Sequence, residues 1–118
     1  MIIAGILILS ITIVLYPSSK PKHNEKYYQT ILCNELNGVM EYRLSDRTRV
    51  DCLTQEYAIE VDFAKKWAES IGQALYYSQM TSKQPAVALI VADNEYRFVK
   101  RLEKVTDKFL IKVFIIEK

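Results

Sequence analysis

One histidine, two cysteines, one tryptophan, three glycines and three prolines are all that 118 residues hold of these types. Each shortage excludes something. His23, Cys33 and Cys52 make three candidate soft ligands, where a structural zinc site needs four. Two cysteines are too few for a disulfide framework. They leave two readings open: one Cys33–Cys52 bridge in an oxidising compartment, or two buried thiols in a reducing one. So little glycine and proline excludes collagen-like and low-complexity chains. Charge of one sign is also lacking: 16 basic side chains face 14 acidic ones, for a net +2. A nucleic-acid partner cannot be argued from that balance and has to come from a site.

The residues present fit one globular domain. Half of them are hydrophobic and a quarter charged, and the length suffices for one core rather than two. Residues 2–16, IIAGILILSITIVLY, form an uncharged apolar run. The run is shorter than the roughly 20 residues of a spanning helix and closer to the core of a secretory signal. No basic residue precedes it and no A-x-A-like cleavage site succeeds it, while Lys20, Lys22 and Lys26 come after it. That placement would hold the domain beyond the run on the cytoplasmic side. The run is therefore expected to be a signal or membrane anchor, with the side left open. Residues 17–26, PSSKPKHNEK, read as a linker because two prolines interrupt them. The run is expected not to pack inside the domain, which spans 27–118.

Within 27–118 the periodicities alternate. Residues 27–37 carry Tyr28, Ile31, Leu32 and Glu35 at helical spacing, and Gly38 is placed to stop that helix. Strands are expected at 39–44, 48–53, 57–63, 86–92 and 109–116, with Ser45-Asp46-Arg47 as a turn. Helices are expected at 65–80 and 95–107. The first of these would present Trp67, Ile71, Ala74 and Leu75 to the core, and the second Val99, Leu102 and Val105. AVALIVA at 86–92 is apolar throughout, as a strand buried on both faces would be. The order helix, three strands, helix, strand, helix, strand gives an α/β fold with a mixed sheet flanked by helices.

The chemistry gathers around the second and third strands. Glu60 and Asp62 are two apart in a strand and so share a face. If strands 48–53 and 57–63 pair as a hairpin, Asp51 lies beside Glu60. Two such carboxylates suit a hard divalent cation, Mg²⁺ or Mn²⁺, which keeps several waters. On the next helix Lys66, Ser70, Gln73 and Tyr77 fall on one stripe, fit to hold a phosphate backbone.

These residues resemble a known family. An acidic residue of the first helix, then Asp51, then Glu60-x-Asp62, then a helix is similar to the PD-(D/E)XK nuclease superfamily. Gln73-Ala-Leu-Tyr-Tyr77 resembles the Q-x-x-x-Y signature of bacterial recombination exonucleases. The segment RVDCLTQEYAIEVDFAKKWAESIGQALYY is similar to a group of small bacterial proteins with hydrophobic N-termini. The resemblance covers roughly residues 33–91. It implies a restriction-endonuclease-like αβββαβ core with a further helix and strand, and a Mg-dependent endo- or exonuclease acting on DNA or RNA. Asp51 and Glu60 would be metal ligands, joined by Glu35 from the first helix and by Asp62. Gln73 and Tyr77 would bind substrate. The superfamily motif has lysine where this chain has Asp62. Lys66 is then the expected catalytic lysine, ahead of Lys65. The other class of function is a nuclease-fold domain that binds a partner without cleaving it.

Overall fold

The computed structural model describes residues 22–118 and the isolated Gly5, so the apolar run at 2–16 and most of the expected linker lie outside the described residues. Five strands form one sheet in the order β1-β2-β3-β4-β5. They are β1 (Val39–Arg43), β2 (Arg49–Leu53), β3 (Tyr57–Phe63), β4 (Gln84–Val91) and β5 (Lys112–Glu117). Helix α1 (Glu25–Glu35) precedes them, α2 (Trp67–Thr81) joins β3 to β4, and α3 (Tyr96–Phe109) joins β4 to β5. The first three strands are antiparallel neighbours, and β3-β4 and β4-β5 pair in parallel. The chain is thus an α/β domain with a mixed sheet, in the element order expected.

Each face of the sheet has its own core. Under α1, Tyr28 and Cys33 pack on Cys52, Ile59, Val61, Ala86, Ala88 and Ile90. On the other face α2 and α3 touch each other and cover Val87, Leu89 and Val91 with Ala74, Val99 and Leu102. Strand β4, paired on both sides, feeds both cores, which is why its sequence is apolar without alternation. Fully buried Leu89, Ile90 and Leu102 each contribute about 1.5–3 kcal/mol of transfer free energy.

Several boundaries move, each for a physical reason. Helix α1 starts inside the expected linker, because the Asn24 side chain accepts the Tyr27 N–H at 3.0 Å and caps the first turn. The last strand begins at Lys112 rather than 109: α3 runs on to Phe109, and Leu110 at φ 53° closes it in the left-handed region. Strand β4 starts at Gln84 and includes Pro85, whose missing N–H is harmless because pairing with β5 begins only at Ala86. On α2 the sheet-facing side is Ser70, Ala74 and Tyr77; Trp67 and Ile71 are half-buried and Leu75 is exposed. The small Ser70 and Ala74 let the helix backbone approach the sheet. The expected polar stripe is therefore partly the packed face of α2.

Cys33 and Cys52 are joined, which decides between the two readings of the cysteines within this structure. The bridge ties the end of α1 to β2. Gly38 has a different task from the one expected: Asn37, at φ 54°, is the left-handed residue that ends α1, and Gly38 donates its N–H to the Cys33 carbonyl at 2.9 Å. A Cβ on Gly38 would lie 2.5 Å from Cys52 Sγ and 2.7 Å from Cys33 Sγ. Gly38→Ala is accordingly expected to cost about 1–3 kcal/mol in urea unfolding of the oxidised chain. The cost should be smaller after reduction, when the sulfurs can separate. An equal cost in both states would show that the sulfurs are not what Gly38 accommodates.

Candidate functional site

The β2-β3 hairpin is pinned by Thr54, whose N–H donates to the Tyr57 carbonyl at 2.8 Å while its hydroxyl accepts the Tyr57 N–H at 2.8 Å. Leu53 then faces Ala58 and Cys52 faces Ile59, which brings Asp51 opposite Glu60. Regular pairing stops there. In place of a ladder bond, Asp51 Oδ2 accepts the Val61 N–H at 2.8 Å. The Asp51 carbonyl is taken from the other side by Gln29 Nε2 of α1, at 2.7 Å. Its neighbour across β1, Glu41, is also out of the ladder, at φ 53°, and its Oε1 accepts from the same Gln29 amide at 3.2 Å. Side-chain alternation breaks at this point too, since Val50 packs with the Tyr77 face and Cys52 with the α1 face.

Three carboxyl groups gather where the strands part. Glu60 and Asp62, side by side on β3, are 6% and 5% exposed, and Asp51 is half-buried. Glu25, in the first turn of α1, lies beside Asp62. Among the described residues none of the four forms an ion pair. Burial pushes the Glu60 carboxyl far up from its ordinary range, and the neighbouring Asp51 and Asp62 push it further. Burial also raises Asp51, opposed by the Val61 N–H and by a hydrogen bond from protonated Glu60. Asp51 and Glu60 behave as a pair that retains a proton at neutral pH. Asp62 is pushed up to about 7, by burial first and Glu25 second, with the Lys66 ammonium pulling the other way. Tyr77 is buried beside the pair, and its phenol rises to about 12 through burial and the nearby Glu60 and Asp51 charges.

The structure thus brings together Asp51, Glu60, Asp62, Lys66 and Tyr77. Two expected residues fall elsewhere. Glu35 is exposed at the far end of α1, roughly 15 Å along the helix from Glu25. The acidic residue that α1 contributes is Glu25, because Glu25, Gln29 and Cys33 form the row facing the strands. Gln73 is exposed on α2 and, among the described residues, makes no hydrogen bond to the acidic group. Lys65 acts instead on Glu95, a different neighbourhood from that of Lys66.

Among the described residues no three His, Cys, Asp or Glu side chains form a ready metal cage. The residues that could hold a metal are a carboxyl pair, Asp51 and Glu60, with two further carboxyls close by. A cavity of about 610 Å³ lies apart from this group, between His23, Tyr27 and Ile31 of the α1 end and Ile116 and Lys118. Its two carboxyls, Asp93 and Glu117, are exposed, so the buried carboxyl groups lie elsewhere.

No protein-family model, no curated protein and no solved structure matches this chain.

Raised carboxyl pKa values fix the direction of pH dependence. The folded chain holds more protons than the unfolded one above pH 4, so this stabilisation is complete below about pH 4 and drains away as pH rises through 7. Without divalent cations, stability should fall on the order of 2 kcal/mol between pH 5 and 8. Asp62→Asn should flatten much of that slope, leaving stability at pH 5 nearly unchanged and raising it at pH 8. Urea midpoints across this range check it, and a wild-type stability that climbs with pH would contradict the electrostatics described.

Proposed function

We propose that this chain is a metal-dependent phosphodiesterase with a restriction-endonuclease-like fold and a variant active site, acting on DNA or RNA. The observation that carries this reading is the cluster of carboxyl groups at the parting of β2 and β3, none of which forms an ion pair among the described residues. Burying like charges together is costly, and groups arranged this way commonly serve chemistry. The element order α1-β1-β2-β3-α2-β4 supports the fold half of the reading.

Asp51 and Glu60 would hold Mg²⁺ or Mn²⁺. Mg²⁺ takes one or two carboxylates and keeps waters, so the pair fits such an ion without a closed protein cage. When bound, the ion supplies Lewis-acid polarisation of a phosphoryl oxygen and activation of water. The chain's own residues do the rest. The Val61 N–H fixes one oxygen of Asp51, and Gln29 fixes its backbone. Lys66 sits where the chain enters α2, with its ammonium acting on Asp62, and there it would stabilise charge developing on the phosphoryl group. Asp62, its carboxyl pushed up to about 7, would take up or release a proton beside the reacting group. Tyr77 closes the buried side of the site, and Gln73 would meet substrate from the surface.

The Cys33–Cys52 bridge bears on location. Disulfides persist in oxidising compartments, so we place the domain on that side of a membrane, exported or anchored through the run at 2–16. The second reading is a domain that binds nucleic acid without cleaving it, and it rests on Asp62 standing where the motif has lysine.

Asp51→Ala and Glu60→Ala are expected to abolish metal binding, read by calorimetry, and Mg²⁺- or Mn²⁺-dependent cleavage of DNA or RNA, without unfolding the chain. Lys66→Ala should slow cleavage by roughly 10²-fold with metal affinity little changed, and Lys65→Ala should leave the rate nearly intact. Cleavage that survives Asp51→Ala refutes the site. Metal and nucleic-acid binding with no cleavage in the wild type supports the second reading.

A further inference from the structure

The β1-β2 hairpin carries a concentration of positive charge that the fold does not neutralise. Arg43 and Arg49 are direct cross-strand partners, an arrangement in which like charges repel. Arg47, in the turn, is held at φ 74°, a backbone region that is unfavourable for a long side chain. These three arginines and Glu41 line a cavity of about 410 Å³. Two carboxylates are near enough to offset the arginines, and neither does so effectively. Glu41 approaches only Arg49, at 3.9 Å with the arginine 63% exposed, a geometry worth little in water. Asp46 is turned away: one oxygen accepts from the Thr48 hydroxyl at 2.6 Å and from the Thr48 N–H, and the other from Tyr76.

A cross-strand arginine pair and a strained arginine around one concavity make an anion site, since planar guanidinium groups grip phosphate oxygens bidentately. Its position gives the anion a role. Glu41, on the cavity wall, shares the Gln29 amide with the Asp51 carbonyl, so the arginines adjoin the carboxylates through two hydrogen bonds. We propose that Arg43, Arg47 and Arg49 clamp the phosphate backbone of a polynucleotide beside the carboxylate site. The proposal rests on the phosphodiesterase reading of that site. It explains how a chain of net charge +2 can hold a polyanion, by concentrating cations locally.

The test uses the full chain in nonionic detergent and a fluorescein-labelled single-stranded 12-mer. Binding is followed by anisotropy in EDTA across a salt series. Replacing all three arginines by glutamine should lower the slope of log affinity against log salt by about 2, at about 0.7 for each phosphate that is no longer neutralised. Affinity at 0.1 M salt should fall at least about tenfold. Arg47→Gly separates binding from folding, because glycine relieves the φ 74° backbone: its Tm should rise while its affinity falls. Lys100→Gln with Lys104→Gln, on the exposed side of α3, should leave the slope unchanged.

An unchanged slope in the triple variant overturns the clamp, as does the absence of oligonucleotide binding in the wild type. Arginine-dependent capture of phosphatidylglycerol vesicles in place of the oligonucleotide also overturns it, in favour of a lipid surface. Arginine-dependent binding by a chain that never cleaves leaves the clamp standing and removes the phosphodiesterase reading. Cleavage that is indifferent to the three arginines does the reverse.

Discussion

Where β2 leaves β3, the Asp51 side chain accepts a backbone N–H that a ladder carbonyl would otherwise take, and its own carbonyl is occupied by Gln29. Much of the molecule depends on that exchange. A buried backbone N–H needs a partner, so Asp51 is held in a fixed orientation with one oxygen committed. Its fixed position sets it opposite Glu60, beside Asp62 and under Tyr77. The same parting releases Glu41 from the ladder and lets the Gln29 amide bridge it to Asp51. Helix α1 is locked over the parting at two points, by Gln29 in its middle and by the Cys33–Cys52 bridge at its end.

Holding carboxyl groups together in this way works against folding at neutral pH. The remaining structure has to offset it, and the two-sided core around β4 is the main source of stabilisation. The bridge adds a contribution of about 3 kcal/mol for a loop of this size. A cation held by Asp51 and Glu60, as proposed, would relieve the repulsion that the fold tolerates. The conflict between local electrostatics and stability sits at one place, while the packing elsewhere is consistent with the sequence pattern.

The architecture is largely legible in the sequence because its signals are periodic. The unbroken apolar run at 86–92 announces a strand buried on both faces, and Glu60-x-Asp62 announces a shared face. The relation of Asp51 to Glu60 comes from a short hairpin alone. The hidden parts depend on tertiary direction. Glu25 lies next to a proline-containing tract and reads as linker, so the acidic role falls to Glu35, on the wrong end of the same helix. The spacing Glu25, Gln29, Cys33 carries the signal that could have found it, given that Cys33 must face Cys52. Leu75 and Tyr77 mislead in opposite senses. Hydrophobicity places Leu75 in the core, whereas small Ser70 and Ala74 decide which side of α2 meets the sheet. The arginine groove is invisible in composition, because acidic residues elsewhere cancel it in the net charge. It appears only when strand register sets Arg43 across from Arg49.

Burial and mutual repulsion raise the carboxyl groups at the strand parting, so a divalent cation that binds there has to displace protons. Calorimetric titration of Mg²⁺ into the wild-type chain at pH 7, repeated in buffers of different ionisation enthalpy, counts the protons displaced by each ion. The account predicts saturable binding with release of about one proton or more per Mg²⁺, abolished in Asp51→Ala. Binding without proton release, or no binding at millimolar Mg²⁺, would contradict it.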